Sequence, residues 1–222
     1  AAVGRILRDG ISRLVLLPLF PQYSVTTTGS CLKHFRELDA KLGVSARMEI
    51  AAVESWYDEP LYIEAMADLI REGLAGFSGG RPEEVHLLYS AHSIPAGYVA
   101  NGDPYLEQTK RLVDRVHTRL GGAHPRTLGF QSRVGPVKWL GPSTREVLAR
   151  LGREGKTRVL AVPVSFVSDH IETLQEIDIE YRELAERSGI REFRRAASLN
   201  LYPKFIAALA EVVRKRRPSG AC

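Results

Sequence analysis

The 222-residue sequence predicts an α/β protein built on parallel β-sheet. Apolar runs of strand length alternate with longer amphipathic segments, which is the pattern of βα repeats. Residues 13–20 (RLVLLPLF) are apolar almost throughout, as expected of a strand buried on both faces. No apolar run approaches the 18 residues of a membrane-spanning helix. The hydrophobic content of 44% and charged content of 26% are those of a globular protein.

The elements follow in order from helix and strand signals. A helix ends near Asp9-Gly10, and Pro60 is expected at the first turn of a later helix. Strands are predicted at 13–20, 47–53, 85–91, 126–131 and 157–166, and helices at about 30–42, 60–77, 105–120, 142–152 and 201–217. A sheet boundary is predicted near residues 58–62, with the last helix returning to the first sheet. The predicted domains are therefore 1–58 completed by 196–222, and 59–195.

Charge and cysteine content restrict the function classes. The net charge of +5 arises from 31 basic and 26 acidic residues, and much of the excess lies in the basic run 214–217. A solvated chain end explains that run, so no nucleic-acid partner is expected. Cys31 and Cys222 are too few for a disulfide framework or a zinc site, which favours a reducing, cytoplasmic location. The motifs GxGxxG, GxxxxGK[ST], GxSxG and CxxC are absent, which argues against nucleotide-dependent enzymes and serine hydrolases.

Residues 164–181 change abruptly from an apolar strand to an acidic helix. Glu172, Glu176 and Glu180 recur at four-residue intervals, which places them on one face of an α-helix. Asp169 and His170 precede them, and carboxylate oxygen with imidazole nitrogen can hold a divalent metal. A solvated helix face is the alternative interpretation. The position beyond a strand end favours a ligand site, because α/β sheets bind ligands there.

His92 also follows a buried strand. If the two strands are neighbours, His92 and Glu172 face each other across one cleft, an arrangement suited to proton abstraction and metal handling. A structural histidine is the alternative. Four aromatic side chains also leave strand ends, and around one mouth they would suit a large flat ligand. They are Tyr23, Trp56, Tyr57 and Trp139.

Five stretches, in family order and spanning nearly the whole chain, resemble the ferrochelatase family, whose members insert ferrous iron into a porphyrin. They are LFPQYS with TTGS from residue 19, SAHSIP from 90, GDPY from 102, QSRVGP with WLGP from 131, and SDHIETL from 168. The resemblance implies two Rossmann-like, chelatase-type domains with the porphyrin cleft between them. It also implies that the chain lacks the family's N-terminal segment, so that the first domain is incomplete.

The resemblance assigns site residues by position. His92 corresponds to the active-site histidine, as metal ligand or as acceptor of pyrrole protons, and Glu172 to the glutamate facing it. Glu176 and Glu180 correspond to an acidic line along a helix with a π-type turn, a path for metal or protons. Tyr23, Ser24 and Trp139 fall in loops that border the porphyrin. The implied catalytic pair is His92 and Glu172, and the implied metal contacts are that pair with Glu176 and Glu180.

The implied activity is that of a lyase in haem biosynthesis. It would insert Fe²⁺, as a substrate, into protoporphyrin IX or coproporphyrin III with release of two protons. Another metal–tetrapyrrole chelatase and a porphyrin-binding protein without turnover are the alternatives. Val25 stands where some members have a cluster-ligating cysteine, so neither a [2Fe–2S] cluster nor another permanently bound cofactor is expected. We expect a monomer with at most peripheral membrane contact.

Overall fold

Two parallel β-sheets organise the protein in a computed structural model that describes residues 2–78 and 81–216. The first sheet pairs β1 (Arg13–Leu16) with β2 (Glu49–Ala52). The expectation that residues 13–20 form one strand buried on both faces was wrong. The strand ends at Leu16, and its apolar residues are only half-buried, since β1 pairs with β2 alone among the described residues.

The second sheet has four parallel strands in the order β4-β3-β5-β6. The strands are β3 (His86–His92), β4 (Arg126–Gln131), β5 (Arg158–Pro163) and β6 (Glu192–Arg195). Parallel sheet with α/β alternation confirms the predicted fold class. Strand β6 was not predicted, because the segment EFRR buries a single side chain, Phe193, and therefore lacks the apolar run of an inner strand.

Eight α-helices are present in residues 2–78 and 81–216. They are α1 (Ala2–Arg8), α2 (Thr28–Leu42), α3 (Pro60–Ala75), α4 (Ala96–Ala100), α5 (Tyr105–Arg119), α6 (Thr144–Arg153), α7 (Arg182–Arg187) and α8 (Pro203–Lys215). A 3₁₀ helix covers Pro82–Glu84, and a π-helix covers Glu172–Tyr181. Pro60 opens α3 as predicted. Pro142 does not open α6. Ser143 caps it instead, in a reciprocal capping box with Glu146.

The helices cover the second sheet on both faces. Helices α3, α5 and α8 pack with Leu87 and Tyr89 of β3, whereas α6, the π-helix and α7 pack with Leu88. This alternation along one strand is the period of two that a sheet covered on both sides requires. Helix α8 also brings Phe205 to within 6.0 Å of the Trp56 ring. The division into 1–58 with 196–222, and 59–195, stays a prediction.

The strand order reverses direction between β3 and β5. The chain passes from β3 to β4 on one side, and then crosses β3 to form β5 on the other side. Such a reversal leaves a crevice beyond the carboxyl ends of the two strands, where doubly wound sheets bind ligands. His92 is the last residue of β3, and the segment after β5 carries Ser165 and Glu172.

Within residues 2–78 and 81–216, no helix combines the length and the apolar character needed to cross a bilayer. Cys222 and Arg217, the last residue of the predicted helix 201–217, lie outside the described residues.

Candidate active site

A cavity of about 650 Å³ opens beyond the carboxyl ends of β3 and β5. Its volume falls in the range of about 300–1,000 Å³ that small-molecule sites occupy. Three segments form most of its wall: residues 19–27 after β1, residues 92–95 after β3, and residues 165–172 after β5. Trp139 and Tyr105 complete the wall. The cavity therefore lies between the two sheets and draws on both.

His92 and Glu172 meet in this cavity, as the sequence analysis expected. Nδ1 of His92 lies 3.0 Å from Oε2 of Glu172, and both side chains are about one-third exposed. An ionised carboxylate only accepts hydrogen bonds, so Nδ1 carries the hydrogen in this pair. In the neutral imidazole that leaves the lone pair on Nε2. The pair thus combines a base with a neighbouring negative charge that stabilises its protonated form.

A closed cycle of hydrogen bonds holds the backbone of His92 from behind. The His92 amide donates to Oγ of Ser165 (3.2 Å), and the Tyr105 hydroxyl donates to the His92 carbonyl (2.7 Å). Ser165 and Tyr105 oxygens lie 2.6 Å apart. Since the Tyr105 hydrogen is used by the carbonyl, Ser165 must donate to Tyr105, which closes the cycle. Burial raises the pKa of Tyr105, so its hydroxyl stays protonated.

Tyr105 and Ser165 were not among the predicted site residues. Tyr105 belongs to the GDPY stretch that carried part of the resemblance, which is the one signal that pointed to it. Its contact with His92 depends on how α5 returns to the end of β3.

His170 lines the cavity and fixes the start of the π-helix. Its Nδ1 accepts a hydrogen bond from the Glu172 amide (3.1 Å), and its ring meets Phe166 edge to face at 4.3 Å. The Phe166 ring also lies 6.0 Å from the His92 ring. The three aromatic rings therefore orient one another beside Glu172.

Asp169 has a different role from its neighbour. Its carboxylate accepts hydrogen bonds from Arg195 (2.9 Å), Ser198 (2.8 Å) and Asn200 (2.8 Å), all outside the cavity wall. Burial raises the pKa of Asp169, but the hydrogen bonds from Asn200 and Ser198 and the charge of Arg195 outweigh burial and lower it overall. Asp169 therefore anchors the segment after β5, and the predicted Asp-His-x-Glu group does not act as one cluster.

The loop after β1 is held against the second sheet by buried polar contacts. Asp103, before α5, accepts hydrogen bonds from the Ser24 hydroxyl (2.9 Å) and the Val25 amide (2.8 Å). Gln22 donates to the Val164 carbonyl (3.0 Å). Ser24 lines the cavity as expected, but its hydroxyl is engaged by Asp103. This wall is therefore positioned by hydrogen bonds that cross between the sheets.

The predicted aromatic groups divide between cavity and core. Trp139 lines the cavity and pairs with Pro95 in an isolated antiparallel bridge. Trp56 is 2% exposed and donates its indole hydrogen to the Pro18 carbonyl (3.1 Å), so its expected place at the mouth was wrong. Tyr23 is not one of the described residues that line the cavity. Its hydroxyl would lie only 2.8 Å from a Cβ at Gly29, which explains the glycine.

A second depression, a groove of about 560 Å³, lies on the other side of Glu172. The π-helix directs all three glutamates of the acidic line into it, Glu172, Glu176 and Glu180. The π-type turn that the resemblance implied is present. No group of three or more histidine, cysteine, aspartate or glutamate residues within 2–78 and 81–216 is arranged to hold a metal ion. The carboxylates are therefore spaced along the groove rather than gathered at one point.

The middle carboxylate of the groove is satisfied by neutral donors. Glu176 accepts hydrogen bonds from the Ser132 amide (3.1 Å) and hydroxyl (2.6 Å), and from the Tyr181 hydroxyl (2.5 Å). Burial, together with the hydrogen bond and charge of Glu176, raises the pKa of Tyr181, so that this donor keeps its hydrogen. Glu176 is thus held in place without a positive charge.

Comparison with known proteins gives matches over almost the whole chain. The family model described as Ferrochelatase matches residues 1–217. The chain is 52% identical to a Synechococcus ferrochelatase, covering 96% of this chain and 62% of the relative. It is 51% identical to the ferrochelatase of Gloeobacter violaceus (96% and 64%) and 48% identical to ferrochelatase-1, chloroplastic/mitochondrial, of Arabidopsis thaliana (98% and 47%). The chain thus spans between about half and two-thirds of the length of these relatives.

Solved structures show the same fold at low sequence identity. SirB from Bacillus subtilis with Fe³⁺ aligns with a TM-score of 0.67 at 15% identity, covering 96% of this chain and 75% of SirB. The sirohydrochlorin chelatase SirB from B. subtilis subspecies spizizenii in complex with cobalt aligns with a TM-score of 0.61 at 12% identity, covering 96% and 73%. At these identities the likeness is one of fold.

Proposed function

Because the chain belongs to the ferrochelatase family, we propose that it takes part in inserting Fe²⁺ into a porphyrin. The substrate is protoporphyrin IX or coproporphyrin III. The observation that carries the proposal is the His92–Glu172 pair, with its 3.0 Å contact, in a cavity large enough for a small-molecule ligand.

The reaction sets two chemical demands that this pair can meet. A free porphyrin carries two pyrrole hydrogens, and both must leave as protons when Fe²⁺ binds the four ring nitrogens. We assign the acceptance of the two protons, one after the other, to Nε2 of His92, whose lone pair is free when Nδ1 donates to Glu172. The partly exposed imidazole passes the first proton to solvent before it accepts the second. Glu172 then stabilises the imidazolium through charge and orientation. This assignment separates the roles of the two residues.

The metal side of the reaction is assigned to the groove. Glu172 lines both the cavity and the groove, so a cation that reaches it from the groove is next to the porphyrin site. Glu180 and Glu176 would act as earlier contacts, and Glu172 as the last. A single carboxylate holds a divalent cation weakly, and weak successive contacts suit transfer better than storage.

The porphyrin side is assigned to the apolar wall. Leu19, Phe20, Phe166 and Trp139 offer apolar and aromatic area on several sides of the cavity. Flat ligands gain orientation from such rings. Ser24 and Tyr23 contribute indirectly, since one secures the loop through Asp103 and the other packs over Gly29 behind it.

The direct test is a porphyrin metallation assay, in which the loss of free-porphyrin fluorescence reports metal insertion. Zn²⁺ and Fe²⁺ are each added to protoporphyrin or coproporphyrin with the parent chain, His92→Ala, and His34→Ala as the matched control. His34 is a well-exposed histidine on α2. Metallation by the parent and His34→Ala, with loss in His92→Ala, is expected. Binding without metallation by the parent would overturn the proposed activity in favour of a porphyrin-binding protein, and no binding would overturn both.

A further inference from the structure

The three carboxylates of the groove have three kinds of partner. Glu172 at the inner end contacts the His92 imidazole, and Glu176 in the middle accepts only neutral donors. Glu180 at the outer end is paired with the guanidinium of Arg145. Of these three contacts in the described part of the chain, only that of Glu180 is with a permanently charged group. A cation entering from the outer end therefore meets a carboxylate that already has a positive partner.

The placement of Arg145 is not explained by its own helix. It is the second residue of α6, where the partial positive charge of a helix N-terminus disfavours a cation. Its side chain extends towards the π-helix, with the guanidinium 5.6 Å from the centre of the Tyr181 ring. Tyr181 also donates to Glu176, so Arg145 contacts Glu180 directly and lies beside the tyrosine that holds Glu176.

A second arginine on the groove wall is engaged elsewhere. Arg133 donates to the Leu140 carbonyl (2.7 Å) and lies 3.9 Å from Glu146, which directs its guanidinium into the 132–141 loop. Arg145 is thus the groove arginine whose charge faces the acidic line. The Arg145 and Glu180 side chains are 54% and 39% exposed, so the pair is solvated and can open readily.

We propose that Arg145 competes with the incoming divalent cation for Glu180, and so sets the cation concentration at which the groove fills. This rests on the proposed function for the destination of the cation, but filling of the groove is measured without porphyrin. Ion pairs between exposed side chains are weak, so removing the competitor should tighten cation binding about two- to fivefold.

The test is Mn²⁺ binding to the whole chain, measured from the free-ion electron paramagnetic resonance signal. Arg145→Gln removes the competing charge. Arg150→Gln is the matched control, because Arg150 lies on the same helix and pairs with Glu154 rather than with a groove residue. Glu176→Gln/Glu180→Gln gives the binding that does not involve the middle and outer carboxylates of the groove. Arg145→Gln/Glu180→Gln shows whether Arg145 acts through Glu180.

The expected result is two- to fivefold tighter Mn²⁺ binding by Arg145→Gln, an unchanged affinity for Arg150→Gln, and no gain from Arg145→Gln once Glu180 is replaced. Added salt should reduce the difference between parent and Arg145→Gln, because it weakens the ion pair. An equal gain in Arg150→Gln would reduce the effect to net charge and overturn the proposal. Unchanged or weaker binding in Arg145→Gln, or a gain that persists without Glu180, would also overturn it. Porphyrin metallation by the parent would still support the proposed activity in each of these cases.

Discussion

The two ends of strand β3 carry a histidine each, and the two histidines differ in exposure and in hydrogen-bond partner. His86 at the amino end is 6% exposed, and its Nε2 lies 2.9 Å from the Thr127 hydroxyl. His92 at the carboxyl end is about one-third exposed and is paired with Glu172. Burial lowers the pKa of His86 to about 4, so it is neutral at physiological pH. Six residues apart on one strand, one histidine belongs to the core and the other faces a cavity.

This difference shows that the position of a histidine, at the carboxyl or the amino end of the strand, determines its chemistry. Strand ends that meet at a reversal of strand order open a crevice, whereas His86 at the amino end of β3 is buried. We therefore expect replacement of His92 to change the activity and replacement of His86 to change the stability.

The largest expected effect is the loss of metallation in His92→Ala. Removing the proton acceptor should lower kcat by at least about a hundredfold, the usual contribution of a positioned general base. Stability should change little, because the side chain is partly exposed and lies at a cavity. Metallation rate and thermal unfolding measured on the same sample check both statements. A variant that unfolds as it loses activity would abolish the contrast with His86.

Replacement of Tyr105 by Phe is expected to have the next largest effect. It breaks the hydrogen-bond cycle and leaves the His92 carbonyl without its donor, while the ring keeps its volume in the core. We expect about a tenfold loss in kcat with an altered pH profile, since the position of His92 relative to Glu172 changes. The pH dependence of kcat in parent and variant is the measurement. A tenfold rise in KM with an unchanged kcat would indicate a role in substrate binding instead.

The third effect concerns the pH dependence of stability. The unfolded pKa of His86 is about 6.5 and its folded pKa is about 4, so the unfolded chain binds the additional proton. The contribution of His86 is therefore complete above pH 6.5 and is lost as the pH falls towards 4. His86→Gln should flatten the pH dependence of the unfolding free energy in this window, measured by urea titration at several pH values. Replacement of His92 should leave that slope in place.

The smallest effect is expected for Asp103→Asn. The amide keeps the size of the carboxylate but loses its charge, so the hydrogen bonds to Ser24 and Val25 weaken and the loop after β1 becomes less well positioned. The KM for porphyrin should rise severalfold, whereas the KM for the metal ion should change little. Initial rates with each substrate varied in turn separate the two. A change in the metal dependence alone would contradict the assignment of this loop to the porphyrin wall.

Much of the fold followed from local pattern. Strands β3 and β5 were found within a few residues, because inner strands of a parallel sheet are continuous apolar runs. The edge strand β4 was found as well. Strand β6 was missed because an edge strand with one buried side chain has no such run. The His92–Glu172 pair was anticipated because both residues follow strand ends and both lie in family stretches.

The sequence alone determined the α/β alternation, the family resemblance and the residues available for chemistry. Tertiary structure decided which of them act together. The strand order β4-β3-β5-β6 brought His92 to Glu172 and left His86 at the opposite edge, and no local pattern encodes that order. Packing placed Trp56 in the core, and long-range ion pairs turned Asp169 towards Arg195 and Arg145 towards Glu180. Periodicity reports which face of an element is buried, whereas a site depends on contacts between residues distant in the chain.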